Sequence, residues 1–264
     1  MKILTIGDIV GKSGVEFLKN NLKEFKSVHK IDFDVANGEN SAEGNGILPD
    51  CAKKIFESGV DVITNGNHTF RRREIFPFLN ENHKILRPYN YPSKSTPGFG
   101  FCKVKVNNIN VAVINLLGVA YLESINLPLD SLDEALRFCV DCPIKIVDFH
   151  AEATGEKKAF AYALRNTVSA VIGTHTHVQT RDAQILKDGV LYISDVGMCG
   201  SYNSVLGTEI ESVIDREILH KPNAHFSYLD DDDTLFSAVV MKFNNLTFKG
   251  ESITPLYIIN RKGK

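Results

Sequence analysis

Apolar and polar positions change period several times along the chain, and each change marks an element. KILTI at 2–6 is a short, mostly β-branched apolar run, the pattern of a strand buried on both faces. VEFLKNNLKEFK at 15–26 then spaces its apolar residues three and four apart, which predicts an amphipathic helix. The rhythm repeats through FDVA (33–36), PDCAKKIFES (49–58), DVIT (61–64), REIFPFLNE (73–81) and KIL (84–86), so strands and helices alternate as in βαβ units. GFCKVKV and INVAVINLL, joined by Asn107 and Asn108, read as a hairpin. LDEALRFCV (132–140) reads as a helix, IKIVDF (144–149) as a buried strand, EKKAFAYALRN (156–166) as a helix, and VSAVI (168–172) as a strand. Beyond residue 182 strands come in pairs: AQIL with VLYIS across KDG, and LFSAVVMKF with ESITPLYII, with one helix near EIESVIDREIL between them.

The predicted fold class is therefore α/β: a layered sandwich of sheets flanked by helices, with antiparallel strands completing the core toward the C-terminus. Residues 1–264 contain no linker-like stretch, repeat or low-complexity segment, so a single domain is expected, and the acidic run DDDD at 230–233 is expected to be a solvated turn. At 264 residues and 43% hydrophobic, the chain can bury a large core. A formal net charge of −2 argues against a broad basic face for nucleic acid, although FRRRE at 70–74 could form a local cationic patch. Five cysteines in a chain of this size, and an N-terminal apolar run cut short by Asp8, point to a reduced, cytoplasmic setting. No apolar run reaches the roughly 18 residues a membrane span requires.

The chemistry sits where the strands end, the edge at which α/β sheets gather ligands. TIGDIVG brings Asp8, DVANGEN brings Glu39 and Asn40, VITNGNH brings Asn67 and His68, VDFHAE brings His150, and VIGTHTH brings His175 and His177. Each has a plain explanation by itself. Asp8 could cap the helix beginning near Ser13, Asn67 could occupy a left-handed turn in NGN, and His150 could be a satisfied core histidine. Five successive strand ends carrying oxygen or imidazole groups are harder to ascribe to accident. In an extended backbone His175 and His177, two apart, would face the same side.

Asp8, Glu39, Asn40, Asn67, His150, His175 and His177 exceed the three or four protein ligands of one tetrahedral ion, and so imply two ions. A carboxylate can bridge two cations and offset their repulsion, which makes Glu39 the candidate bridge. Oxygen and nitrogen donors without thiolate suit iron or manganese, with zinc also compatible, and disfavour magnesium and copper. Two ions about 3.5–4 Å apart form the clamp that holds a phosphoryl group for attack by a metal-bound hydroxide.

In order, these blocks resemble the calcineurin-like metallophosphoesterase superfamily, with signatures D-x-H, G-D-x-x-D, G-N-H-[DE], H and G-H-x-H. GDIVGKSG, NGENSAEGNGI, TNGNHTF, DFHAEATGEK, GTHTHVQT and SDVGMCG resemble its YmdB-like branch, bacterial phosphodiesterases associated with cyclic nucleotides. Two positions depart from the wider superfamily: Val10 replaces the histidine of D-x-H, and Glu39 replaces an aspartate. The resemblance implies that Asn40 substitutes for the lost imidazole. It implies one ion held by Asp8, Glu39, Asn40 and His177, and a second held by Glu39, Asn67, His150 and His175. It assigns His68 the protonation of the leaving oxygen. Its implied substrate is a small phosphodiester or cyclic nucleotide, 2′,3′-cyclic first, with RNA-derived substrates and a homo-oligomeric state left open.

Other motifs are weaker. GDIVGKS fails as a phosphate-binding loop because Ile6 stands where G-x-x-x-x-G-K-[ST] needs glycine. Cys139 and Cys142 have C-x-x-C spacing but no second pair, so structural cysteines are expected. A phosphomonoesterase, or a regulatory protein whose metal centre only organises a surface, would retain the same ligands, but the latter would not need His68.

Overall fold

Strand β1 (Lys2–Val10) runs straight into helix α1 (Gly11–His29), and the sharp turn between them needs Gly11, whose φ is +61°. The helix ends at Lys30 in the left-handed region. Strand β2 (Phe33–Asn40), helix α2 (Pro49–Glu57), strand β3 (Val62–Thr64) and helix α3 (Phe76–Glu81) repeat the pattern. The hairpin follows as β4 (Phe101–Val106) and β5 (Ile109–Leu117), with Asn107 and Asn108 both at positive φ, as a two-residue primed turn requires. Next come α4 (Pro128–Phe138), β6 (Ile144–His150), α5 (Thr154–Ala163), β7 (Ala170–Thr174), β8 (Gln184–Ile185), β9 (Leu191–Ile193) and β10 (Met198–Ser201). A short α6 (Ile210–Val213) precedes β11 (Thr234–Phe243) and β12 (Gly250–Asn260). This computed structural model describes residues 1–231 and 233–261.

The strands form two six-stranded sheets, in the orders β12-β11-β10-β1-β2-β3 and β4-β5-β6-β7-β9-β8. Period-two alternation divides each strand between two cores. Ile3, Val35, Val62, Val113, Ile146, Ile172 and Met241 meet between the sheets. Leu4, Ile6 and Ala36 face outward onto α1 and α2 through Leu18, Leu22 and Ile55, while Ile114, Val147 and Phe149 face α4 and α5 through Leu132 and Phe160. The result is a four-layer helix–sheet–sheet–helix sandwich, the expected fold class.

Several local expectations change. KIL at 84–86 makes only isolated bridges, Ile63 to Ile85 and Leu86 to Phe99, because the edge beyond β3 is too short for a ladder. The helix predicted to run to Val140 stops at Phe138. The C-terminal pairs are antiparallel as expected, and they join the existing sheets: β8 and β9 extend the second, while β10, β11 and β12 extend the first. Of the acidic run, Asp230 is exposed, as a solvated turn predicts, and also accepts hydrogen bonds from Lys12 and Ser13, both at 2.9 Å, which fasten it to the start of α1. Asp232 lies outside the described residues. All five cysteines are free, and Cys139 and Cys142 pack with Ala112. Among the described residues no helix is long and apolar enough to cross a membrane.

Candidate metal centre and active site

The carboxyl ends of β1, β2 and β3 in one sheet meet those of β6 and β7 in the other, and all eight candidate residues lie at that junction. Asp8, Glu39 and His150 are fully buried, Asn40 nearly so, and Asn67, His68, His175 and His177 are half-buried. The ladder between β1 and β2 slips register on both sides of Asp8, an irregularity that re-aims its side chain. Gly7 permits the close approach of β10 there, since a Cβ would sit 2.0 Å from the Gly197 carbonyl oxygen. Helix α1 has no side-chain cap, so Asp8 is not its cap. Asn67 has no positive φ and therefore does not serve a left-handed turn.

The side chains gather on both sides of Glu39. On one side His150 Nε2 lies 3.0 Å from Glu39 Oε1, 3.1 Å from Asn67 Oδ1 and 3.0 Å from His175 Nδ1. On the other side Asn40 Nδ2 lies 3.2 Å from both Glu39 Oε1 and His177 Nε2, and His177 Nε2 is 3.7 Å from Asp8 Oδ1. His175 and His177 do not share an extended backbone. Their φ angles are +106° and +64°, so the chain leaves β7 in a strained turn that sends the two imidazoles to different groups. The His175 backbone N–H donates to Asp8 Oδ2 at 3.1 Å, and His177 Nδ1 bonds the Leu206 carbonyl at 3.0 Å.

Neighbouring residues hold these groups in place. Thr174 donates its hydroxyl proton to Asp148 at 2.7 Å and so accepts from His150 Nδ1 at 2.9 Å. With Nδ1–H held in this way, loss of the ring's second proton leaves the lone pair on Nε2, facing Glu39, Asn67 and His175. Glu152 Oε2 lies 3.0 Å from His175 Nε2 and fixes the opposite nitrogen, Nδ1, toward His150. A Cβ on Gly66 would fall 2.2 Å from His150 Nε2 and 2.4 Å from Glu39 Oε2, so no other residue fits beneath the cluster. None of Gly66, Asp148, Glu152 and Thr174 was singled out from sequence. Asp148 and Glu152 flank His150 at two-residue spacing, which is a readable signal; Gly66 looks like an ordinary turn glycine.

The electrostatics show what the cluster lacks. Burial raises the Asp8 carboxyl to about 6 despite His177 and His150 nearby, and its Oδ1 has no hydrogen-bond partner. Burial would also raise Glu39, but His150 and its hydrogen bond, with His68, bring it down to about 2. Burial opposes charge on His150, yet Glu39, Asp8 and Asp148 push it up to about 9. His175 falls to about 3, through burial and then the positive His150. In the bare protein a proton on His150 Nε2 thus holds together atoms that otherwise present only lone pairs. A cation would do the same with more charge, so the donors fit metal ions in both chemistry and arrangement; Glu39, His150 and His175 alone offer three ligand atoms within 4.8 Å of one another.

Above the cluster opens a cavity of about 520 Å³, with Glu39, Asn40, His68, His175 and His177 in its floor. The His68 N–H donates to Glu39 Oε2 at 2.9 Å, and its Nδ1 lies 3.1 Å from Asn40 Oδ1. Val10, at the place of the superfamily histidine, is buried against Gly200 and Gly207, where a Cβ on Gly207 would come within 2.3 Å of it. The basic patch divides: Arg72 is tied to the carbonyls of Glu43 and Asn45, while Arg71 lines the cavity.

A family model described as YmdB-like protein matches residues 4–256. A 2′,3′-cyclic-nucleotide 2′-phosphodiesterase of Bacillus subtilis is 40% identical over 259 residues, covering 98% of this chain and 97% of the relative. Among solved structures, a hypothetical protein of Thermus thermophilus superposes with a TM-score of 0.92 at 33% identity, over 99% of this chain and 100% of the other. A phosphatase of Mycoplasma pneumoniae superposes with a TM-score of 0.90 at 32% identity, over 98% and 93% of the two chains.

Proposed function

The chain belongs to the YmdB-like family, a hydrolase of the metallophosphoesterase type, and from that premise we propose that it cleaves phosphodiesters, with 2′,3′-cyclic nucleotides as its leading substrates. The observation that carries this reading is the gathering of carboxylate, imidazole and amide groups around Glu39, open to a cavity large enough for a nucleotide. Asp8, Glu39, Asn40 and His177 would hold one cation, and Glu39, Asn67, His150 and His175 the other. Iron or manganese suits these donors best, and zinc is compatible. Two such cations supply Lewis acidity and a water of lowered pKa beside the phosphorus.

The chain's own residues do the rest. Asp8 and Glu39 bring two buried carboxylates to the cavity floor, so their charge acts at short range and low dielectric. Asp148 and Thr174 keep Nε2 of His150 free for coordination, and Glu152 does the same for Nδ1 of His175. His68 is the general acid. With Nδ1 donating to Asn40, the second proton of its imidazolium sits on Nε2, available to the departing oxygen. Burial draws His68 below the ordinary histidine value against the pull of Glu39, which makes the imidazolium a stronger acid; the anionic substrate beside it favours that charged form.

The test is turnover by metal-loaded protein of 2′,3′- and 3′,5′-cyclic nucleotides, bis-p-nitrophenyl phosphate and p-nitrophenyl phosphate. Hydrolysis of the diesters, 2′,3′-cyclic fastest, is expected. Rapid monoester hydrolysis with every diester untouched would move the protein to the phosphomonoesterases.

A further inference from the structure

Strands β10 and β11 are joined by a segment that begins at residue 202 and crosses the mouth of the cavity. Connections this long inside a compact domain usually carry function. The segment folds on itself: Thr208 bridges Val205 and Tyr228, and Glu209 N–H donates to the Ser227 carbonyl at 2.8 Å. Its midpoint is a π-helical turn, Ile214–Ile218, a local geometry frequent at functional sites. It is clipped to the proposed metal centre where His177 Nδ1 bonds the Leu206 carbonyl.

The side chains this segment places in the cavity are unlike those of a structural cover. Phe226 is 39% exposed, and the Arg216 guanidinium lies 4.1 Å from its ring centroid. Arg216, Phe226 and Tyr228 share the cavity with Glu39, Asn40 and His68. A cover that served only packing would bury its aromatic ring in a core. Here the ring and the guanidinium plane instead stand at a concave, solvent-open wall facing the reactive floor. A flat cation–aromatic pair is a stacking platform for a heteroaromatic ring, because both guanidinium and phenyl present planar faces to it.

We propose that the Arg216–Phe226 stack is a nucleobase subsite, which receives the base of a nucleotide while its phosphodiester lies over Glu39 and His68. This rests on the phosphodiesterase reading above. It makes the enzyme selective for nucleotide diesters over sugar or lipid diesters of the same phosphate geometry.

The experiment compares KM for adenosine 2′,3′-cyclic phosphate with KM for the 2′,3′-cyclic phosphate of abasic ribose, in wild type, Phe226→Ala and Arg216→Ala. Wild type should show the lower KM on the nucleotide. In Phe226→Ala that KM should rise roughly 5- to 100-fold, toward the abasic value, as loss of one base stack predicts. Equilibrium binding of adenosine 5′-monophosphate should weaken in the same variants, and this readout does not depend on turnover. Unchanged nucleotide KM and binding in both variants would overturn the subsite, as would an equal rise on both substrates. Absence of diester turnover in wild type, with nucleotide binding still sensitive to Phe226, would instead remove the phosphodiesterase reading and leave the subsite standing. Phe226→Leu, which keeps apolar bulk but no ring, should behave as the alanine variant and separates stacking from packing.

Discussion

Two buried groups of charge lie side by side at the sheet edges, and they are arranged in opposite ways. Lys157 and Asp195 meet at 2.8 Å with their side chains 2% and 1% exposed. Lys157 also donates to the Thr174 carbonyl, and Asp195 accepts from the backbone N–H groups of Thr176 and Gly197. That pair is closed, each charge facing its opposite and the hydrogen-bonding atoms engaged. Asp8 and Glu39 are equally buried, but what faces them is amide N–H groups and the titratable imidazolium of His150, and Asp8 Oδ1 accepts no hydrogen bond. The difference teaches what each group is for. Evolution of a stable fold explains the first arrangement, whereas the second leaves a buried carboxylate oxygen orphaned and rests its positive charge on one exchangeable proton of His150, a cost that a bound cation would relieve.

The contrast can be broken at several points. The largest effect is expected in the open cluster at His68, where His68→Ala should lower turnover roughly 10²–10⁴-fold on substrates with poor leaving groups. The loss should shrink on p-nitrophenyl esters and leave metal content nearly intact, as kinetics paired with metal analysis would show. Loss of metal, or equal losses on both ester types, would make His68 a ligand or a positioning group. Next comes the closed pair: Lys157→Met leaves Asp195 buried and unpaired and should cost about 3–5 kcal/mol in denaturant unfolding. Metal stoichiometry should stay the same in the folded fraction. A stable variant with lost metal would mean that the two groups are not separable.

A smaller effect should follow from the support of His150. Thr174→Val removes the acceptor that holds Nδ1–H, so the imidazole can turn or change tautomer. Metal affinity should fall by about 10–100-fold, read by competition with a chromogenic chelator. Unchanged affinity would show that Asp148 can orient the ring without the threonine.

Much of this centre was legible before any coordinates. Strand ends are marked by an apolar run meeting a polar block, so Asp8, Glu39, Asn67, His150 and His175 could be placed at one edge from pattern alone. The partition of the chain between two facing sheets was not legible, because β3 and β6 read identically as short apolar runs. Positive φ at His175 and His177 was also hidden, since histidine has no strong preference there and tertiary contacts to Asp8 and Leu206 impose it. Strand β10, with the sequence MCGS, carries no period and exists because β1 and β11 both pair with it. In the segment after residue 202, EIESVIDREIL reads as a helix, but no pattern brings Arg216 to Phe226, so their stack could emerge only from its folded position.

The central claim is that Asp8 belongs to a cation site and not to the fold's own stabilisation. The most direct measurement is the unfolding free energy of wild type and Asp8→Asn, each with and without metal, alongside metal content. Without metal, Asp8→Asn should be as stable as wild type or more so, because a buried carboxylate with an orphaned oxygen becomes a neutral amide. With metal near a hundred times its dissociation constant, wild type should gain about 2.7 kcal/mol for each ion bound and the variant clearly less, with fewer than two ions bound. A metal-free variant several kcal/mol less stable than wild type, with an undiminished gain from metal, would contradict the account.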